Sequence, residues 1–141
     1  MAFDDLYQEI ILDHYRNPRN AADLSFIPEE NVHENPSCGD SVKIHAVVKE
    51  NRIERVEFEG RGCAISVASA SMMSELLAGK SVEEAKGIIR EFMAIMRGEA
   101  DRTALDEWGE LSALSGVIDF PLRVKCATLS WHAVEETLET G

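Results

Sequence analysis

The chain is poor in cysteine, proline and positive charge. Its 141 residues hold only three cysteines and four prolines, and Lys plus Arg number 14 against 26 Asp plus Glu, a formal net charge of -12. The scarcity of cations argues against a nucleic-acid partner, because phosphates demand a cationic face. Most of the acids form a solvated surface, and their excess favours solubility and a basic protein partner. No apolar run reaches membrane-spanning length, and no charged, apolar and small-residue leader opens the chain. The expectation is therefore a cytoplasmic protein with no membrane partner. There thiols stay reduced, and clustered cysteines bind metal or do chemistry more often than they pair. An odd cysteine count would leave one thiol over from any single disulfide. No CxxC spacing occurs, which excludes a zinc ribbon.

At this length one domain is expected, spanning residues 1–141. It can bury about two-thirds of its surface and needs no staple to fold. Residues 3 to 16 carry Phe3, Leu6, Tyr7, Ile10, Ile11, His14 and Tyr15 at helical spacing. Asn17-Pro18 ends that helix, because proline disfavours helix in the residue before it. Residues 19 to 39 contain Pro28 and Pro36 and read mostly as loop. Residues 41 to 49 alternate, with Val42, Ile44, Ala46 and Val48 on one side and Lys43, His45 and Lys49 on the other. After a turn at Glu50-Asn51, residues 52 to 59 alternate again, with Val56 and Phe58 on one face and Ile53 out of step. The two runs suggest an antiparallel pair with one wet and one buried face.

The second half is helical. Ala64 to Ala78 is rich in small residues and stops at Gly79. Ser81-Val82-Glu83-Glu84 is a capping box that starts the next helix, which stops at Gly98. Residues 99 to 112 are acidic and weakly periodic. Pro121 opens a last helix running to Leu138, with an apolar stripe of Leu122, Cys126, Leu129 and Ala133. Strands first and helices after them make an α+β fold: a small antiparallel sheet of about three strands, packed on one face by helices in two layers.

The chemistry resides in all three cysteines and one aspartate: Cys38, Asp40, Cys63 and Cys126. Three thiolates and a carboxylate make four anionic donors, the number a tetrahedral Zn²⁺ takes. Gly39, between Cys38 and Asp40, permits a sharp backbone that lets both side chains converge. Cys63 follows Gly60-Arg61-Gly62 and precedes a helix, whose positive N-terminal end favours an anion. The alternative role for each cysteine is that of a small buried hydrophobe. That alternative has even weight for Cys126, on its apolar stripe, and little weight for Cys38 in a polar loop. Asp40 by itself suits a turn or cap equally well.

These segments resemble the U-type iron–sulfur cluster assembly proteins, IscU and SufU. The matching stretches are Leu6-Tyr7-Gln8-Glu9-Ile10-Ile11-Leu12-Asp13-His14-Tyr15-Arg16-Asn17-Pro18-Arg19-Asn20, Asn35-Pro36-Ser37-Cys38-Gly39-Asp40, Gly60-Arg61-Gly62-Cys63-Ala64-Ile65-Ser66 and Arg123-Val124-Lys125-Cys126-Ala127-Thr128-Leu129-Ser130-Trp131. Two features lie nearer SufU: Lys125 stands where IscU-type proteins have histidine, and an extra stretch, residues 98 to 115, separates the second and third cysteines. None of His14, His33, His45 and His132 stands at the histidine position, and each is assigned a surface or packing role.

The resemblance implies a zinc-binding sulfur acceptor working with a PLP-dependent cysteine desulfurase of the SufS type. Carried over, Cys38, Asp40, Cys63 and Cys126 would hold Zn²⁺, and Cys38 would take the persulfide sulfur. The alternative is a scaffold that assembles a [2Fe–2S] cluster and passes it to downstream carrier proteins, since thiolates suit iron–sulfur units as well as zinc. Lys125, with Arg61 and Arg123, would offset the negative charge of the ligand set. Apolar residues of the first helix and around Trp131 are docking candidates that more often belong to a core. The acidic stretch with Glu99, Asp101, Asp106, Glu107 and Glu110 would meet a basic partner surface.

Overall fold

The computed structural model describes residues 2–35 and 39–140. Helix α1, Ala2–Arg16, leads into a long irregular segment with one 3-10 turn at Glu29–Asn31. Strand β1, His33–Asn35, then pairs antiparallel with β2, Asp40–Lys49, which pairs antiparallel with β3, Arg52–Arg61. The sheet order is β1-β2-β3. Helices α2, Ala64–Leu77, and α3, Val82–Met96, follow; a run of 3-10 turns at Arg102–Asp119 leads into α4, Pro121–Thr140. This is the α+β arrangement expected, with a three-stranded antiparallel sheet.

The hairpin between β2 and β3 turns through Glu50 and Asn51, both in the left-handed region at φ 54 and 63, as a tight hairpin turn requires. The out-of-step Ile53 has a local cause. Val47 faces Arg55 but Val48 faces Ile53, so Glu54 is an extra residue in β3. That bulge turns Ile53 to the same face as Val56 and Phe58, and all three are buried. The helices cover this face. Trp131 of α4 is fully buried and stacks on Phe92 of α3, ring centroids 3.8 Å apart. It belongs to the core and offers no docking surface.

Helix α2 is buried along most of its length, its serines included. Ser69 is bridged to α4 by the indole N–H of Trp131 at 2.9 Å, and Ser71 accepts the backbone N–H of Arg19 at 2.9 Å. Small side chains permit this close approach, and each buried hydroxyl needs such a partner. The capping box of α3 forms as the sequence suggests, with Ser81 and Glu84 exchanging hydrogen bonds.

Three local expectations change. The loop before β2 contains β1, which is too short at three residues to show alternation. Lys43 is buried rather than wet, because the preceding segment folds over that side of β2 and places Glu29 3.1 Å from its Nζ. Leu122, assigned to the apolar stripe of α4, is 66% exposed, whereas Cys126, Leu129 and Ala133 are buried. The first turn of α4 therefore projects beyond the packed body. Among the described residues no helix is long and apolar enough to cross a membrane.

Candidate metal centre

Three segments far apart in sequence deliver Asp40, Cys63 and Cys126 to one point. The donor atoms of the three side chains all lie within 4.8 Å of one another. Asp40 opens β2, Cys63 is the residue before the first turn of α2, and Cys126 lies in the second turn of α4. Cys38, the fourth expected member and the expected nucleophile, lies outside the described residues, as do its neighbours Pro36 and Ser37.

Each position has a physical origin. Gly39 has φ +72, and a Cβ there would meet nothing within 4 Å. Glycine is therefore required at Gly39 for its backbone angle and not for space. Its N–H donates to Asn35 O at 2.9 Å, closing the chain between β1 and β2 just before Asp40. Asp40 is buried, and its Oδ1 accepts the backbone N–H of Cys63 at 2.9 Å. The carboxylate thus ties the residue that precedes α2 to the start of β2 while it faces the thiols. Its Oδ2 stands 3.8 Å from Cys63 Sγ.

Gly62 makes that approach possible. It sits at φ +145, and a Cβ on it would lie 1.9 Å from Asp40 Oδ1. Any other residue would collide with the carboxylate and strain the backbone. The sequence flagged the glycine only as a flanking residue; nothing in one chain reveals what approaches it.

The two thiols differ in setting. Cys63 is exposed and Cys126 is buried. In its protonated form Cys126 donates to Leu122 O at 3.5 Å, and the side-chain amide of Asn35 points its Nδ2 at Cys126 Sγ from 4.0 Å. Asn35 is itself buried and carried no assignment in the sequence beyond its place in the loop. Two thiols and a carboxyl, without histidine, form a donor set that suits Zn²⁺ or an iron–sulfur unit. No histidine joins it. His14 is buried between Ser71 Oγ at 2.7 Å and Glu110 Oε1 at 3.0 Å, His33 pairs with Glu136, and His45 pairs with Glu57.

Lys125, Arg61 and Arg123 are exposed. Arg123 lies over the Phe120 ring, 5.3 Å from its centroid. Next to Arg123, an apolar groove of about 670 Å³ runs between α1 and the 3-10 segment, lined by Ile11, Leu12, Ile65, Val117 and Phe120. Two of its lining residues are near cluster residues in sequence: Ile65 two after Cys63, and Arg123 three before Cys126.

Residues 6–127 match the NifU-like N terminal domain family. The chain belongs to that family. It is 43% identical over 135 residues to the zinc-dependent sulfurtransferase SufU of Bacillus subtilis, covering 94% of this chain and 89% of that one. It is 37% identical over 134 residues to the iron–sulfur cluster assembly scaffold protein IscU of Streptococcus pyogenes, covering 95% and 83%. Among solved structures it superposes on a SufU from Fervidobacterium islandicum, described as a putative iron–sulfur cluster assembly scaffold for the SUF system, with TM-score 0.75, 32% identity and coverage of 92% and 94%. Asp40, Cys63 and Cys126 all lie within the matched residues.

Proposed function

We propose that this protein acts in iron–sulfur cluster assembly as a zinc-binding sulfur acceptor, taking persulfide sulfur from a cysteine desulfurase in the cytoplasm. The observation that carries the reading is the convergence of Asp40, Cys63 and Cys126 within 4.8 Å. Its neighbour in kind, the Bacillus relative named a zinc-dependent sulfurtransferase, supports zinc over other ions. Cys38, one glycine before Asp40 in sequence, completes four anionic donors.

Zinc bound to these donors would keep the thiols deprotonated and resistant to oxidation. The residues divide the work. Buried Asp40 and Cys126 hold their places through packing and hydrogen bonds, whereas Cys38 is the donor that this reading assigns to leave the ion and act as nucleophile. The Cys38 thiolate attacks the outer sulfur of the partner's cysteine persulfide. The sulfur–sulfur bond of that persulfide breaks, the partner's cysteine leaves as thiolate, and Cys38 carries the sulfur onward as a persulfide. No external oxidant or reductant enters the exchange. Exposed Lys125 and Arg123 lower the net negative charge that two approaching thiolate sites would otherwise face. The groove lined by Ile65, Val117 and Phe120 seats the partner.

A second reading, a scaffold that assembles a [2Fe–2S] cluster and hands it to carrier proteins, is favoured by the relatives named IscU. One experiment separates them. Incubation with a desulfurase and cysteine, followed by mass spectrometry, should show added sulfur on Cys38 and none in Cys38→Ser. Continued desulfurase turnover with Cys38 unmodified, together with a visible cluster spectrum after anaerobic reconstitution that is lost in Cys63→Ala, would establish the scaffold instead.

A further inference from the structure

We propose that Asn35 is a positioning residue for Cys126: its side-chain amide donates an N–H···S hydrogen bond that holds this sulfur as the anchored donor of the centre. The inference rests on the metal-binding reading above. Asn35 is 7% exposed and ends β1. Its backbone is fixed twice, by pairing with Asp40 across the β1–β2 ladder and by the N–H of Gly39 on its carbonyl at 2.9 Å. The strand that presents the Asp40 carboxylate therefore also fixes the amide that meets the Cys126 sulfur, 4.0 Å from Nδ2.

The chemistry gives that amide a task. The thiol form of Cys126 is served by the Leu122 carbonyl, which accepts its proton. A metal-bound sulfur has no proton to donate and can only accept. The carbonyl then offers nothing favourable, and the Asn35 amide is a donor aimed at the same atom. Groups that hydrogen-bond a ligand from behind orient it and tune its bond to the ion. Cys63 is placed differently, exposed at the rim with its sulfur 3.8 Å from a carboxylate oxygen. Asn35 thus makes Cys126 the donor that stays while another thiol leaves to take up sulfur.

The test uses the full chain loaded with ¹¹³Cd²⁺ or Co²⁺. In the ¹¹³Cd form, the Asn35 side-chain N–H protons should show coupling to the metal transmitted through the hydrogen bond and sulfur. In the Co²⁺ form, Asn35→Leu, which keeps shape and loses the donor, should move the sulfur-to-cobalt charge-transfer absorption to lower energy. Release to a chelator should become about tenfold to a hundredfold faster, the range expected on loss of an outer partner. A bound ¹¹³Cd signal without coupling to Asn35 overturns the proposal and leaves the metal reading standing. Failure to bind either ion overturns both. An unshifted cobalt band with unchanged release in folded Asn35→Leu also overturns it, and if that variant does not fold, the ¹¹³Cd coupling in the unaltered protein decides alone.

Discussion

At the scale of single residues, Asp40 does two things that mutation can separate. Its Oδ1 accepts the Cys63 N–H, and its carboxylate charge faces the thiols. Asp40→Asn retains an acceptor oxygen and loses the charge, so purified protein should lose most of its zinc and unfold at the denaturant midpoint of the unaltered protein stripped of zinc. Asp40→Ala also leaves the Cys63 N–H without its acceptor, which costs about 1–3 kcal/mol, and should lower the unfolding midpoint further. Gly62→Ala places a methyl 1.9 Å from Asp40 Oδ1 at a backbone angle that alanine avoids. A destabilisation of about 1–3 kcal/mol, with loss of zinc stoichiometry, is expected by chemical denaturation and metal analysis. Of the four expected donors, Asp40, Cys63 and Cys126 were singled out from residue type and local context, and the structure brings these three together; Cys38 lies outside the described residues. The reasons for Gly62 and Asn35 were not legible in that way, because both depend on an atom brought from another segment: the Asp40 carboxylate in one case and the Cys126 sulfur in the other.

At the scale of elements, hydrophobic period and capping chemistry located four helices and two strands. These signals are local: the stop at Gly79, the Ser81–Glu84 box and the break at Asn17-Pro18 each act within a few residues. Elements that owe their form to distant partners were harder to read. Strand β1 exists because β2 supplies its partners, and buried Lys43 owes its setting to a loop whose path no periodicity encodes. The 3-10 run is held partly by His14 of α1, which reaches Glu110 on one side and Ser71 of α2 on the other. His14→Ala should leave the buried Ser71 hydroxyl with one partner fewer and cost about 1–3 kcal/mol. It should also raise hydrogen-exchange rates in residues 102–119 more than in α2. Equal protection in both segments would mean that His14 does not tie the run to α1.

At the scale of the whole molecule, the core between the sheet and α2, α3 and α4 is continuous and does not route through Asp40, Cys63 or Cys126. Removal of zinc with a strong chelator should therefore leave far-ultraviolet circular dichroism nearly unchanged, with a lowered melting temperature, since a ligand bound only to the folded state adds stability in proportion to its occupancy. Collapse of the spectrum would instead mark a purely structural ion. The proposed partner surface is testable at the same scale: Phe120→Asp places a charge in the groove lined by Ile65 and Val117 and should weaken association with a cysteine desulfurase about tenfold or more, without altering zinc content. Zinc K-edge X-ray absorption on protein purified without added metal tests the central claim most directly. The account predicts about three sulfur neighbours at about 2.3 Å and one oxygen at about 2.0–2.2 Å, with one sulfur fewer in Cys38→Ser; a shell of light atoms alone, or protein without zinc, would contradict it.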